Sequence, residues 1–155
     1  MEIFVNNLDM TKSSSSPTYY LAKSEPSTYS IDDLEKDKVT PWDGVHNYQA
    51  INFIKEWRVG DFVFIYHSMG EAAIAGLAEV VSEPTKDEND PRDISWVADL
   101  KFLKKYPPTR RVSLKDVKAS GKFDDFWLVK NPRLSVMKCT EEFVQWVTKK
   151  LDQNS

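Results

Sequence analysis

Cysteine, histidine and glycine are all scarce in this chain of 155 residues, which has one Cys, two His and five Gly. A single thiol, Cys139, excludes an intramolecular disulfide and fits a reducing compartment. His46 and His67 are the only imidazoles, and Cys139 is far from both in sequence. No metal-ligand spacing results, so neither a metal nor another cofactor is expected. The glycines form no GxGxxG or Walker pattern, which removes the usual phosphate-cradling loops. No apolar run approaches the ~18–20 residues of a membrane span. The N-terminus has neither an apolar secretory core nor the Arg content of a transit peptide. These absences predict an intracellular protein of nucleus or cytoplasm, with no membrane partner.

A hydrolytic site is equally poorly provided for. Ser68 follows His67, with Glu25 or Asp43 available to orient an imidazole, but neighbours on a strand point to opposite faces. There is no G-x-S-x-G elbow. No catalytic residue is assigned.

What is present suits one packed domain: 41% hydrophobic and 12% aromatic residues. The net charge of −3 conceals an asymmetry. Residues 1–100 carry 8 Lys/Arg against 18 Asp/Glu, whereas residues 101–138 carry 11 against 3. Lys104, Lys105, Arg110 and Arg111 are therefore candidate phosphate contacts on an acidic protein. The plainer alternative is a solvated surface hairpin and helix.

Turn and cap signals divide the chain. A Ser-rich run, Ser13 to Ser16, ends a flexible tail over residues 1–18. A strand from Tyr19 to Lys23 stops at Pro26, and Ser30 with Asp33 has capping-box spacing for a helix from Ile31 to about Lys36. Thr40-Pro41 forces an extended approach to Trp42, and Gly44 permits a turn. Asn47 caps a helix from Tyr48 to about Trp57, whose Ala50, Ile51, Ile54 and Trp57 face the core. Strands follow at Phe62–Tyr66 and Ala72–Val81, the second holding Gly76 at a bulge or close approach. A polar loop, Glu83–Asp93, precedes one long alternating strand through Trp96, Ala98, Leu100 and Phe102. Ser113 and Asp116 repeat the capping spacing, Leu134–Met137 reads as a short strand, and Thr140 caps a last helix with Phe143, Val147 and Leu151 inward. The fold class is α+β: mixed, mainly antiparallel strands curled into a small barrel, short helices at its rim and a helix at the C-terminus.

Aromatics beside single polar groups carry the functional signal. Trp42-Asp43-Gly44-Val45-His46-Asn47-Tyr48 puts two large π surfaces, an amide and an imidazole within seven residues. Tyr66-His67-Ser68 ends a buried strand, where a barrel would open. Flat rings stack on bases, while amides and hydroxyls read base edges. Taken singly, Trp42 and Tyr66 read as core residues and Asn47 as a cap.

Six words in order raise the specificity: Lys23-Ser24-Glu25-Pro26, Trp42 through Ala50, Val59-Gly60-Asp61, Tyr66-His67-Ser68, Ile74 through Ala78, and Arg133-Leu134-Ser135-Val136. In these the chain resembles the EVE-domain proteins, in particular the thymocyte nuclear protein family, of the PUA-like superfamily. The family usually has Arg at His46 and often Arg at Ile51; a Pro is common at Cys139. The resemblance implies a PUA-like barrel over residues 19–151, with 152–155 as a C-terminal tail. It also implies a concave pocket recognising modified bases, notably modified cytosine, in DNA or RNA. The pocket would draw on Lys23, Ser24, Trp42, Asn47, Tyr66, Ser68 and Arg133. Trp42 and Tyr66 are assigned to stacking, Asn47 and Ser68 to base edges, Lys23 and Arg133 to phosphate. A non-catalytic nucleic-acid reader is the leading reading. An enzyme acting on a base or nucleotide, with Glu25, Asp43 or His67 as acid or base, is the alternative, and a protein-interaction scaffold is a third.

Overall fold

The computed structural model describes residues 16–153, so the expected N-terminal tail lies outside the described residues except for its last three. Among the described residues nine strands and five α-helices follow in chain order. They are β1 (Tyr19–Ser24), α1 (Ile31–Asp37), β2 (Val39–Pro41), α2 (Tyr48–Glu56), β3 (Phe62–His67), β4 (Ala73–Val80) and β5 (Thr85–Lys86). Next come β6 (Trp96–Val97), β7 (Asp99–Lys105), a turn of 3-10 helix at Pro108–Arg110, β8 (Val112–Ser113), α3 (Leu114–Ala119), α4 (Trp127–Lys130), β9 (Val136–Lys138) and α5 (Glu141–Gln153). The architecture is the expected α+β one.

Seven strands make one sheet in the order β9-β1-β3-β4-β7-β2, with β8 also paired to β4. Among the described strands only β1 and β3 pair in parallel, and α1, β2 and α2 form the crossover such a pair requires. Local chemistry sets the helix starts. Ser30 Oγ accepts the Asp33 N–H at 3.2 Å while the Asp33 carboxylate accepts the Ser30 N–H at 2.9 Å. Ser113 and Asp116 repeat that reciprocal box, and Thr140 Oγ1 accepts the Phe143 N–H. In the core, Trp57, Phe64, Leu21, Ile54, Leu134 and Phe143 are fully buried, each stabilising the fold by ~1.5–3 kcal/mol or more.

One bulge interrupts β4 at Ala75, opposite Ile65–Tyr66 of β3, and a second interrupts β7 at Leu103, opposite Leu77–Ala78 of β4. Gly76 lies between them. A Cβ there would meet the Ile31 side chain and stand 2.6 Å from the Lys104 carbonyl oxygen, so α1 packs where only hydrogen fits.

The long strand expected through Trp96–Phe102 is divided. Trp96–Val97 pairs with Thr85–Lys86, inside what reads as a polar loop, while Asp99–Lys105 joins the main sheet. The break falls at Ala98, whose carbonyl accepts the Trp42 N–H at 2.9 Å. The side-chain alternation survives the break, with Ala98 and Leu100 buried. The 3-10 turn and α4 carry no periodic signal and were not expected.

Candidate functional site

β1 and β3 end together. Their register pairs Lys23 with Tyr66 and Ser24 with His67, and the Ser68 N–H donates to the Ser24 carbonyl at 3.0 Å. Side chains alternate along a strand, so Lys23 and Tyr66 occupy one face and Ser24 and His67 the other. The candidate residues thus wrap around the strand ends in two groups.

On the first face, Lys23 Nζ stands 5.8 Å from the Tyr66 ring centroid and donates to the Pro132 carbonyl at 2.8 Å. The Lys23 N–H also donates to the Ser135 carbonyl, which brings the exposed Arg133 to this end of the sheet. Burial pushes the Lys23 ammonium down and the Tyr66 phenol up from their ordinary values.

On the second face, Ser24 Oγ donates to the Tyr29 carbonyl, and the Tyr29 ring meets Trp42 edge-on at 6.4 Å and 81°. Tyr29 and Trp42 line a cavity of about 270 Å³ together with Thr28, Thr40, Pro41 and Asp43. The Tyr29 hydroxyl donates to Asp37, which fixes the ring. Of the seven expected pocket residues, Trp42 alone lines this cavity. Tyr29 was missed because it stands in a polar loop with no periodicity to mark it.

Asn47 is the N-cap of α2: its Oδ1 accepts the Ala50 N–H at 2.9 Å, leaving Nδ2 as its remaining donor. His46 Nε2 lies 2.9 Å from Asp90 Oδ1. Burial alone would raise the Asp90 carboxyl, but the amides of Ser95 and Arg92, the His46 ring and the Ile94 amide hold it well below the usual carboxylate range. Through Asp90, His46 therefore anchors the 87–95 loop.

His67 is buried with both ring nitrogens engaged. Nε2 accepts the Ile31 N–H at 3.0 Å, which places the proton on Nδ1, 3.1 Å from Glu71 Oε1. Glu71 also pairs with Arg111. Such an imidazole braces the start of α1 and the β3–β4 turn.

The basic segment divides similarly. Arg111 is spent on Glu71 and the Tyr106 carbonyl, and Lys105 pairs with Asp32. Lys104 lies over the Tyr106 ring at 5.4 Å, and Arg110 is exposed. Burial, with Asp152 and Tyr19 nearby, pushes the Tyr106 phenol up to about 12. Cys139 is buried, which pushes its thiol up. Among the described residues no cluster of three His, Cys, Asp or Glu is placed to hold a metal, and no helix is long and apolar enough to cross a membrane.

A larger cleft of about 680 Å³ lies elsewhere, lined in part by Tyr20, Lys55, Trp57, Arg58, Asp61 and Lys138. Its charges are mixed, and Trp57 Nε1 is buried at its wall without a hydrogen-bond partner.

Fold and site define a small α+β domain with an aromatic cavity and a polar rim at one end of a bent sheet. The chain belongs to the EVE domain family, whose model matches residues 18–150. Thymocyte nuclear protein 1 of Danio rerio is 32% identical over 171 residues, 84% of this chain and 71% of that protein. The Homo sapiens protein is 29% identical over 167 residues, 84% and 72% of the two chains. Among solved structures, a hypothetical protein from Leishmania major matches with a TM-score of 0.79 at 31% identity, covering 90% of this chain and 98% of that one. Human thymocyte nuclear protein 1 in complex with 5-methylcytosine-containing DNA matches with a TM-score of 0.76 at 27% identity, covering 89% and 98%.

Proposed function

We propose that this protein is a non-catalytic DNA reader that takes a modified cytosine into the Trp42–Tyr29 cavity. The observation that carries the reading is the likeness, over 89% of the chain, to a human protein solved with 5-methylcytosine-containing DNA. The cavity's chemistry supports it. Its volume of about 270 Å³ falls just below the ~300–1,000 Å³ of sites for drug-sized ligands, as a single base needs. Trp42 and Tyr29 offer π surfaces, and the Asp43 carboxylate suits the N4 amine of cytosine. Extruding a base costs a few kcal/mol, and one stacking contact returns ~1–3 kcal/mol, so stacking and phosphate contacts together offset it.

In this reading residues 19–151 form the reader. Lys23 and Arg133 meet phosphate beside Tyr66, while Ser24, Ser68 and the Asn47 amide serve the approach to the base. The basic segment adds charge along the phosphate backbone. The names of the relatives support the nucleus as the site of action.

Fluorescence anisotropy with matched duplexes, methylated and plain, tests the proposal. The parent should prefer the methylated duplex. Asp43→Asn, at an exposed position, should cost roughly tenfold in affinity for the methylated duplex. Trp42→Ala is a poorer probe, because Trp42 is buried and its truncation costs ~3–5 kcal/mol of stability. Equal affinity of the parent for both duplexes overturns the reading, and a chemically altered oligonucleotide by mass spectrometry would favour an enzyme.

A further inference from the structure

The turn between β3 and β4 has an unusual composition for its geometry. Met69, Gly70 and Ala72 all have positive φ, at 62°, 67° and 50°. Gly or Asn fills such positions without strain, whereas Met and Ala do so at a cost. Met69 nevertheless presents its side chain to solvent, 69% exposed, at the tip of the turn.

Both flanks of the tip are fixed. On one side the Ser68 N–H holds the Ser24 carbonyl, and His67 is tied to Ile31. On the other, Glu71 bridges His67 and Arg111, and the Ala72 carbonyl accepts the Leu114 N–H at 2.8 Å. An exposed apolar side chain on a strained but braced turn is preorganised for an external partner. Its location indicates which one. Met69 follows Ser68, whose N–H bonds Ser24 at the paired ends of β1 and β3, and Ser24 in turn bonds the carbonyl of the cavity residue Tyr29. Through the Glu71–Arg111 pair the basic segment runs beside it, as a phosphate-bearing partner requires.

Resting on the reader function above, we propose that Met69 is a wedge that enters the base stack of duplex DNA and fills the gap left by the extruded base. Apolar side chains, Met among them, serve this purpose where proteins unstack a base step. Filling the gap lowers the cost of extrusion, so the contribution exists only where there is a stack to open. Single strands have little to gain from it.

The test uses Met69→Asn and Met69→Gly, both of which accept positive φ and relieve strain rather than add it. Binding is measured to a 5-methylcytosine duplex and to the corresponding single strand. Fluorescence of 2-aminopurine beside the methylated base reports unstacking. Both variants should bind the duplex at least about tenfold more weakly, with the 2-aminopurine signal reduced and single-strand affinity unchanged. Duplex binding equal to the parent's, or equal weakening on both substrates, overturns the wedge while leaving the reader intact. Failure of the parent to prefer methylated DNA in either form removes the reader and the wedge together.

Discussion

Arg111 Nη1 stands 2.7 Å from one carboxylate oxygen of Glu71 and 3.0 Å from the other. The Arg111 side chain is only 8% exposed, so this charge depends on its partner, whereas Glu71 at 29% keeps some water. Glu71→Met, which strands the buried guanidinium, should lower stability by ~3 kcal/mol, the lower end for breaking a buried pair. Denaturant unfolding checks this, and the Glu71→Met/Arg111→Met double variant should be less damaged than Glu71→Met alone. A loss no larger than that of an ordinary surface pair would mean that solvent screens the pair.

The remaining basic residues predict a salt effect. Replacing Lys104, Lys105 and Arg110 with Ser should flatten the dependence of log affinity on log salt by ~0.9 for each phosphate contact removed. Lys105 should contribute least, since Asp32 competes for it. An unchanged slope would make the segment a solvated face.

Asn47 has a separable double role. Asp caps helices as well as Asn does, so Asn47→Asp should retain the thermal midpoint while replacing the amide donor with a carboxylate. Duplex affinity should fall at least about tenfold if Nδ2 serves DNA, because the new charge also repels phosphate. Unaltered binding would confine Asn47 to the cap.

Asp90 predicts a pH limb. Its folded-state carboxyl is held low, so the stability it contributes is fully present above its unfolded value of about 4. That stability is lost as pH falls below that point and the carboxyl finally protonates. The amides of Arg92, Ile94 and Ser95 then lose their charged acceptor. Thermal midpoints from pH 7 down to 3 should fall less steeply in Asp90→Asn than in the parent.

Cys139 should be inert in the native protein, because burial disfavours the thiolate that reagents attack. A thiol-specific chromophoric reagent should label it only after denaturation. Rapid labelling of the folded protein, or stoichiometric zinc lost in Cys139→Ser, would contradict this.

What could be read in the sequence was local. Ser30, Asn47, Ser113 and Thr140 mark helix starts because a cap is settled within three residues. Ala50, Ile51 and Ile54 likewise declare the buried face of α2 by spacing alone. The break in the long strand was not legible, because it depends on a bond from Ala98 to Trp42, distant in sequence. The candidate site residues were legible only one by one, for the same reason. Lys23, Tyr66 and Trp42 stand out as residues, but their division between two faces follows from strand register. Glu71 and Arg111 are 40 residues apart, and nothing near either predicts the other.

The position of β1 governs when the molecule can finish folding. The strand lies between β3 and β9, so one of its edges is completed by residues 136–138, and Lys23 Nζ reaches a carbonyl 109 residues further along. During synthesis β1 emerges early and must wait for almost the whole domain before its outer ladder can close. Long-range pairing of that kind slows folding and leaves a hydrogen-bonding edge bare in the interval. Newly made chains should therefore lean on chaperones more than an all-helical domain of this size, and a chain halted before Val136 should aggregate rather than fold.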